Sequence, residues 1–238
     1  MSKVDVILTS YNRPKMVTKA IKSVLTQTME DFTLWIMDDN SDDETQEILH
    51  KFANSDDRIK LIISTTTLEE RLLKVRYADM INIALVEGYS NYITYLTDDC
   101  YYRNIKLEVM SNYLDRNPEI GICYGNQQII NSPPWYGVNF RGNYGTVSDP
   151  FCWLDHNQIM HRRYLVNIVG LWDTEFPTAE DRELAVAKDA DYFRRLIKVA
   201  GPIEPVDYTT DVFVFHDNMY TDYIRHGKEK ELGTKRME

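Results

Sequence analysis

Short apolar runs alternate along this chain with stretches in which apolar residues recur every three or four positions. Val4-Asp5-Val6-Ile7-Leu8-Thr9 reads as a buried first strand, and Ser10-Tyr11-Asn12-Arg13-Pro14 as the turn after it. Pro14 suits the first turn of a helix, and Met16, Val17, Ala20, Ile21, Val24 and Leu25 give that helix one apolar face. A second strand is predicted from Phe32 to Met37. Ser41 and Glu44 then make a capping-box signature ahead of Ile48, Leu49 and Phe52. Arg58 to Ser64 reads as a third strand, and Ala78, Ile81, Leu85 and Val86 as a helix ending near Gly88. Tyr92 to Thr97 is the fourth strand. A helix around Ile105, Val109, Met110, Tyr113 and Leu114 stops before Pro118, and Ile120 to Gln128 is a further strand. Strands alternating with helices of this length imply an α/β fold with a mostly parallel sheet covered on both faces.

From Asn131 to Pro150 the regularity breaks into Pro-, Gly- and aromatic-rich loop, a length often tied to function. Beyond it, a strand is expected through Trp153 to Met160 and a long helix from about Ala179 to Val199. The chain turns polar after Tyr208, and the charged end, Lys228 to Glu238, is expected to fray.

Two apolar runs end abruptly in paired carboxylates: Trp35-Ile36-Met37 runs into Asp38-Asp39-Asn40-Ser41, and Tyr92 to Thr97 into Asp98-Asp99. In an open α/β sheet ligands bind beyond the carboxyl ends of the strands, so these pairs stand where a ligand would be met. One pair suits a sugar or base, the other a divalent metal on a diphosphate. Asp-Asp by itself is weak: with 22 Asp in 238 residues, four such dipeptides occur where about two are expected by chance. Asp42-Asp43 and Asp56-Asp57 follow no strand and read as solvated carboxylates.

The chain is long enough for one large α/β domain, and its 43% hydrophobic and 27% charged residues are ordinary globular composition. A net charge of −10 without a basic run disfavours nucleic-acid binding. Three scattered cysteines (Cys100, Cys123, Cys152) fit neither a zinc motif nor a disulfide framework, and a cytoplasmic location is the simplest expectation. A strand beginning at Val4 leaves no room for a signal peptide, and no apolar run approaches the roughly 20 residues needed to span a bilayer. Peripheral association with a membrane, through a partner or a lipid-linked substrate, is left open.

These residues together resemble the family 2 inverting glycosyltransferases of the GT-A fold, most of all the members that build spore-coat polysaccharide. The resemblance is carried by Val6-Ile7-Leu8-Thr9-Ser10-Tyr11-Asn12-Arg13-Pro14, by Ile21-Lys22-Ser23-Val24-Leu25-Thr26-Gln27-Thr28 and by the Asp38-Asp39-Asn40-Ser41 turn. Glu70-Arg71, Arg76-Tyr77-Ala78, Ile81-Asn82 and Tyr92-Ile93-Thr94-Tyr95 follow in order. It is dense over residues 3–116 and traceable to about 200. It implies a single domain with a mixed central sheet: residues 1–100 as the nucleotide-sugar half, 101–210 as the acceptor and catalytic half, and 211–238 as a tail.

The resemblance implies inverting transfer of a sugar from a pyrimidine nucleoside diphosphate (UDP or dTDP) to a hydroxyl of a saccharide or glycoconjugate. Thr9, Tyr11 and Asp39 would face the nucleoside, with Tyr11 stacking on the base and Asp39 accepting from its imide N–H. Arg71 would lie near base or diphosphate, although in isolation it reads as a surface charge. Asp98 would accept from the ribose, and Asp99 would ligate Mn²⁺ or Mg²⁺ on the diphosphate. Thr97-Asp98-Asp99 replaces a strict Asp-x-Asp, which leaves the number of direct carboxylate–metal bonds open. The acceptor's base falls in Lys188-Asp189-Ala190-Asp191-Tyr192-Phe193-Arg194-Arg195: Asp189 aligns best, with Asp191 as the alternative. Lys188 stands where the family often has Glu, and a cation beside Asp189 would keep it ionised and weaken it as a base.

Other residues admit structural readings. His156 and His161 read as hydrogen-bonded structural histidines, and the role of His216 is left open, an added metal contact being one reading of it. Trp135, Tyr136 and Tyr144 fit equally a sugar-stacking platform and a loop anchor. The competing function is a nucleotide-binding module without effective catalysis, serving in a polysaccharide assembly complex. A nucleotidyltransferase would need a Gly-rich loop after the first strand, and residues 9–13 contain no glycine.

Overall fold

The computed structural model describes residues 2–67, 70, 73–134, 136–151, 153–175 and 188–216. The first strand, β1 (Val4–Ser10), lies between β2 (Phe32–Asp38) and β4 (Tyr92–Thr97), with β3 (Ile59–Ile63) outside β2, all parallel. Helices α1 (Pro14–Leu25), α2 (Asp43–Ala53) and α3 (Arg76–Glu87) make the crossovers. Beyond β4 the sheet becomes mixed. β8 (Ile159–Arg162) is antiparallel to β4 and to β6 (Ile122–Ile130), and β9 (Glu204–Val214) runs parallel to β6. β5 (Cys100–Tyr102) closes that side against β9, and the short β7 (Phe140–Arg141) pairs with β6.

Alternation along the inner strands builds two cores. Val4, Val6 and Leu8 of β1 pack with α1, α2 and α4 (Lys106–Arg116), while Ile7 packs on the opposite face with α3, α5 (Tyr164–Val169) and α6 (Lys188–Ala200). Strands buried on both faces read as continuous apolar runs, which is why the first half of the chain was legible.

Two expectations are corrected, and two more reach beyond the described residues. Ser41 does not cap α2, because its hydroxyl and N–H are both bound to Asp38, at 2.5 and 2.9 Å. Asp42 is the cap instead, accepting from the Thr45 N–H at 2.9 Å. The strand expected through Trp153 to Met160 is replaced over His156–Gln158 by a 3-10 turn. Asp155 accepts from the Asn157 N–H while the Gln158 side chain accepts from the Asp155 N–H, and this pair of caps delays β8 until Ile159. The late helix is described from Lys188, residues 176–187 lying outside the described set. The polar stretch after Tyr208 belongs to β9 up to Val214; the charged end from Lys228 lies outside the described residues.

Candidate active site

The parallel register Ser10↔Asp38 and Thr9↔Thr97 brings β1, β2 and β4 to an end together, so the turns that follow leave from one edge of the sheet. Asn12 and Asn40 each adopt the left-handed conformation there, with φ of 51° and 58°. Asparagine tolerates that region better than other non-glycine residues, which lets two tight turns form without glycine. The turns are zipped together: the Asn12 N–H donates to Ser41 Oγ at 2.9 Å, and the Asp42 N–H to Asn12 Oδ1 at 2.7 Å.

The two carboxylate pairs divide unequally. Asp38 is fully buried and holds its own turn through Ser41. Asp39 accepts from Arg76 Nη2 at 2.8 Å and Nε at 3.1 Å, at the start of α3. Asp98 accepts from the Tyr11 N–H at 2.9 Å and from Arg13 Nη1 at 2.7 Å. The same Arg13 nitrogen reaches Asp99 Oδ2 at 2.9 Å, so one guanidinium bridges both carboxylates. Burial and the neighbouring Asp99 charge push Asp98 upward, against the pull of Arg13. Burial opposes charge on Asp99 too, but His216, Arg13 and Thr97 together hold it below the usual carboxylate range.

His216 Nε2 lies 3.2 Å from Asp99 Oδ2, and the Thr97 hydroxyl donates to Asp99 Oδ1 at 2.6 Å. Among the described residues no group of three or more His, Cys, Asp or Glu forms a metal cage. Asp99 and His216 nevertheless offer an oxygen and a nitrogen donor side by side, with Asp99 kept ionised. Two protein donors fit a Mn²⁺ or Mg²⁺ that takes its remaining ligands from a diphosphate and water.

The first turn of α6 arrives from the other half of the sheet. Asp189 Oδ2 lies 3.7 Å from His156 Nδ1, the ion-pair distance of a contact just too long for a hydrogen bond. Asp191 is turned outward, its side chain 53% exposed and paired with Arg195 at 3.3 Å. Lys188 bonds Asp173 instead of crowding Asp189. The 3-10 turn ties α6 to the carboxylate turn, because Asn157, next to His156, accepts from the Thr97 N–H at 2.7 Å. Below it, the fully buried Lys106 donates to the Asn157 carbonyl at 2.6 Å and pairs with the fully buried Asp211 at 3.3 Å.

Thr9, Tyr11, Asp39, Asp98 and Asp99 therefore gather on one edge, and the turn that grips Thr97 reaches Asp189. Arg71 lies outside the described residues, as do Trp135 and Cys152. Tyr136 packs edge-on against Phe215 at 4.5 Å and accepts from Arg141, as a loop anchor would. Tyr144 meets Tyr124 and the exposed Trp153, with ring centroids at 6.5 and 5.2 Å. His161 bonds the Tyr95 hydroxyl at 2.7 Å, and burial lowers its pKa to about 4, in keeping with a neutral structural histidine. Sequence reasoning gave no role to Arg13 or Asn157; the position of Arg13, one residue past Tyr11 and Asn12 in the same turn, was the available signal.

An α/β domain with a mixed sheet, acidic turns at the carboxyl ends of its first strands and a late acidic helix is the architecture of the GT-A glycosyltransferases. The profile described as Glycosyl transferase family 2 matches residues 5–164, and the chain belongs to that family. It is 38% identical over 187 residues to Protein CgeD of Bacillus subtilis (strain 168), covering 73% of this chain and 42% of that protein. It is 33% identical over 129 residues to the UDP-Glc:alpha-D-GlcNAc-diphosphoundecaprenol beta-1,3-glucosyltransferase WfgD of Escherichia coli, covering 54% of this chain and 47% of that one. The chain thus spans less than half the length of either relative. The crystal structure of S. aureus TarS 1-349 in complex with UDP-GlcNAc shares the fold, with a TM-score of 0.68, 19% identity, and coverage of 92% of this chain and 60% of that one. No helix among the described residues is long and apolar enough to cross a membrane.

Proposed function

We propose that this domain transfers a sugar, with inversion, from a UDP- or dTDP-sugar to a hydroxyl of a saccharide or glycoconjugate, in a reaction dependent on Mn²⁺ or Mg²⁺. The observation that carries the reading is the meeting of Tyr11, Asp39, Asp98 and Asp99 on one sheet edge, with Asp189 linked to it through His156, Asn157 and Thr97. The UDP-glucose named for the Escherichia coli relative supports a pyrimidine donor. The diphosphoundecaprenol in that same name makes a lipid-linked saccharide the first acceptor to try.

In this reading Thr9 and Tyr11 line the nucleoside pocket, Tyr11 stacks on the pyrimidine and Asp39, steadied by Arg76, accepts from its imide N–H. Arg71 faces the base or diphosphate, and Asp98 accepts from ribose hydroxyls. Asp99, with His216, holds the divalent cation. When bound, that cation supplies Lewis-acid neutralisation of the charge that develops on the leaving diphosphate. Asp189 accepts the proton of the acceptor hydroxyl as the acceptor oxygen bonds to the anomeric carbon. The bond from that carbon to the diphosphate breaks, and its electron pair leaves with UDP or dTDP. Asp191, exposed and paired with Arg195, is the weaker candidate for the base. Residues 1–100 serve the donor, 101–210 the acceptor, and the segment from 211 contributes at least His216 to the donor side.

The test is a thermal-shift panel of UDP, dTDP, GDP, ADP and CMP, each with and without Mn²⁺. Saturation at a hundred times Kd stabilises a fold by about 2.7 kcal/mol, a readily measured change in Tm. A Mn²⁺-dependent shift confined to UDP or dTDP is expected, followed by transfer in a donor and acceptor screen. Pyrimidine binding with no turnover across that screen would instead mark a nucleotide-binding module, and no shift with any nucleotide would remove the donor-site assignment.

A further inference from the structure

His156 has a position that neither the proposed donor site nor the sheet requires. Its ring lies parallel to Tyr77 of α3, with centroids 6.3 Å apart and planes 4° apart. Tyr95 of β4 and Trp172 meet it edge-on, each at 6.3 Å. Three aromatic rings from three segments leave the imidazole little freedom to turn, and its Nδ1 is directed at Asp189 at 3.7 Å. The backbone under it is fixed as firmly. Asp155 caps the turn, Asn157 is held by Thr97 and Lys106, and Gln158 Nε2 donates to the Gly125 carbonyl at 2.8 Å. Asp189, by contrast, is on the first described turn of α6, where among the described residues of its own helix its carboxylate accepts from the neighbouring Ala190 N–H, at 2.8 Å.

From this geometry we infer that His156 is a positioning residue for Asp189. Its imidazole, clamped among Tyr77, Tyr95 and Trp172, fixes the direction of the carboxylate relative to the Asp98-Asp99 turn. The inference rests on the reading of Asp189 as the acceptor's base. It makes the 3-10 turn a bracket, in which consecutive residues orient the base through His156 and the metal-side turn through Asn157. A base has to stand within hydrogen-bonding reach of the proton it takes, and a displacement of about 1 Å can cost on the order of 100-fold in rate. The charges facing the imidazole are consistent with the pairing. Burial opposes its protonation, but Asp189 on α6, Asp155 in its own turn and Asp99 beyond β4 raise its pKa above the ordinary histidine value. The rings of Tyr77 and Tyr95 are the other titratable groups against it.

The test follows the histidine Cε1–H resonances of the full chain across pH in metal-free buffer, with His156 assigned by its loss in His156→Asn. In the wild type His156 should titrate above an ordinary histidine. Asp189→Asn should bring its midpoint down by on the order of one pH unit, while Asp191→Asn should leave it in place. A midpoint unmoved by Asp189→Asn overturns the pairing. Crystal structures of two variants then separate orientation from packing. His156→Phe keeps a ring on Tyr77 without the nitrogen, and His156→Asn keeps an N–H donor near the Nδ1 position. Asp189 should lose its single side-chain orientation in the first and keep it in the second; the same orientation in both overturns the positioning role. These results are independent of turnover. Transfer that survives Asp189→Asn would end the reading of Asp189 as base and leave the pairing intact, whereas loss of transfer with an unmoved His156 midpoint would do the reverse.

Discussion

At the scale of single residues, the two carboxylates of each pair are set apart by their partners. Asp38 spends its two oxygens on Ser41, so Asp39 is the carboxylate of its pair that meets Arg76. Asp98 is nearly sealed at 4% exposure, so Asp99 is the carboxylate of its pair with the better access for a metal. Asp99→Asn is therefore expected to abolish the Mn²⁺-dependent part of nucleotide stabilisation while leaving the metal-free part, as read by thermal shift. At the other end of the reaction, Asp189→Asn should lower kcat by roughly 10²–10⁴-fold, the range typical of a lost general base. Nucleotide affinity should stay within about twofold, because the proposed role of the group is on the acceptor. Asp191→Asn should change kcat by less than about threefold, since its carboxylate is spent on a solvent-exposed pair with Arg195. Steady-state kinetics of the two variants side by side decide the base.

Among the elements, β8 shows how a short antiparallel strand is locked between two longer ones. His161 lies opposite Ile93 of β4 and Ile122 of β6, and its imidazole is buried against the Tyr95 hydroxyl. Burial lowers its pKa to about 4 from an ordinary 6.5, so the folded protein keeps it neutral where the unfolded chain binds a proton. The unfolded state therefore takes up more protons between about pH 6.5 and pH 4, and stability falls as pH drops through that window. The shift is worth about 3 kcal/mol when complete. Urea unfolding at pH 7 and pH 4.5 should show a loss in the wild type that is clearly smaller in His161→Gln. The neighbouring pair, β6 and β9, carries another constraint. A Cβ at Gly125 of β6 would stand 2.1 Å from Thr210 Oγ1 of β9, so the irregular register there depends on a residue without a side chain.

Over the whole molecule, a single sheet joins the donor edge to the half that carries α6, and β9 ties the two together from the far end of the sequence. Its Asp211 is fully buried against Lys106 of α4, with Gln127 Nε2 donating to the same carboxylate at 2.7 Å. Burial works against the charge on both partners, lowering Lys106 and raising Asp211. Removing one partner would strand the other, so Lys106→Met is expected to cost about 3–5 kcal/mol in urea unfolding. The double variant Lys106→Met with Asp211→Leu should recover a large part of that loss. Because Lys106 also holds the Asn157 carbonyl, the stable double variant should still show reduced transfer, which separates the role of Lys106 under the turn from its role in stability.

The sequence by itself determined the parts of this protein that depend on neighbours in the chain. The four parallel strands were legible because burial on both faces demands continuous apolar runs. The turns after β1, β2 and β4 were legible because Pro14, the acidic pairs and the asparagines act over a few residues. The family pattern added roles to those positions, and its profile matches the same span. What the tertiary structure decided are pairings between distant residues. Arg13 bridging Asp98 and Asp99, Arg76 on Asp39, and His156 beside Asp189 join positions 33 to 86 residues apart. No periodicity encodes such partners, because they follow from which strands lie side by side and which helix turn is packed above them. β9 was hidden for a related reason. Its polar Thr210 and Asp211 look solvent-facing in the sequence, and only the burial of Lys106 from α4 and Gln127 from β6 beside them makes a strand interior of those residues.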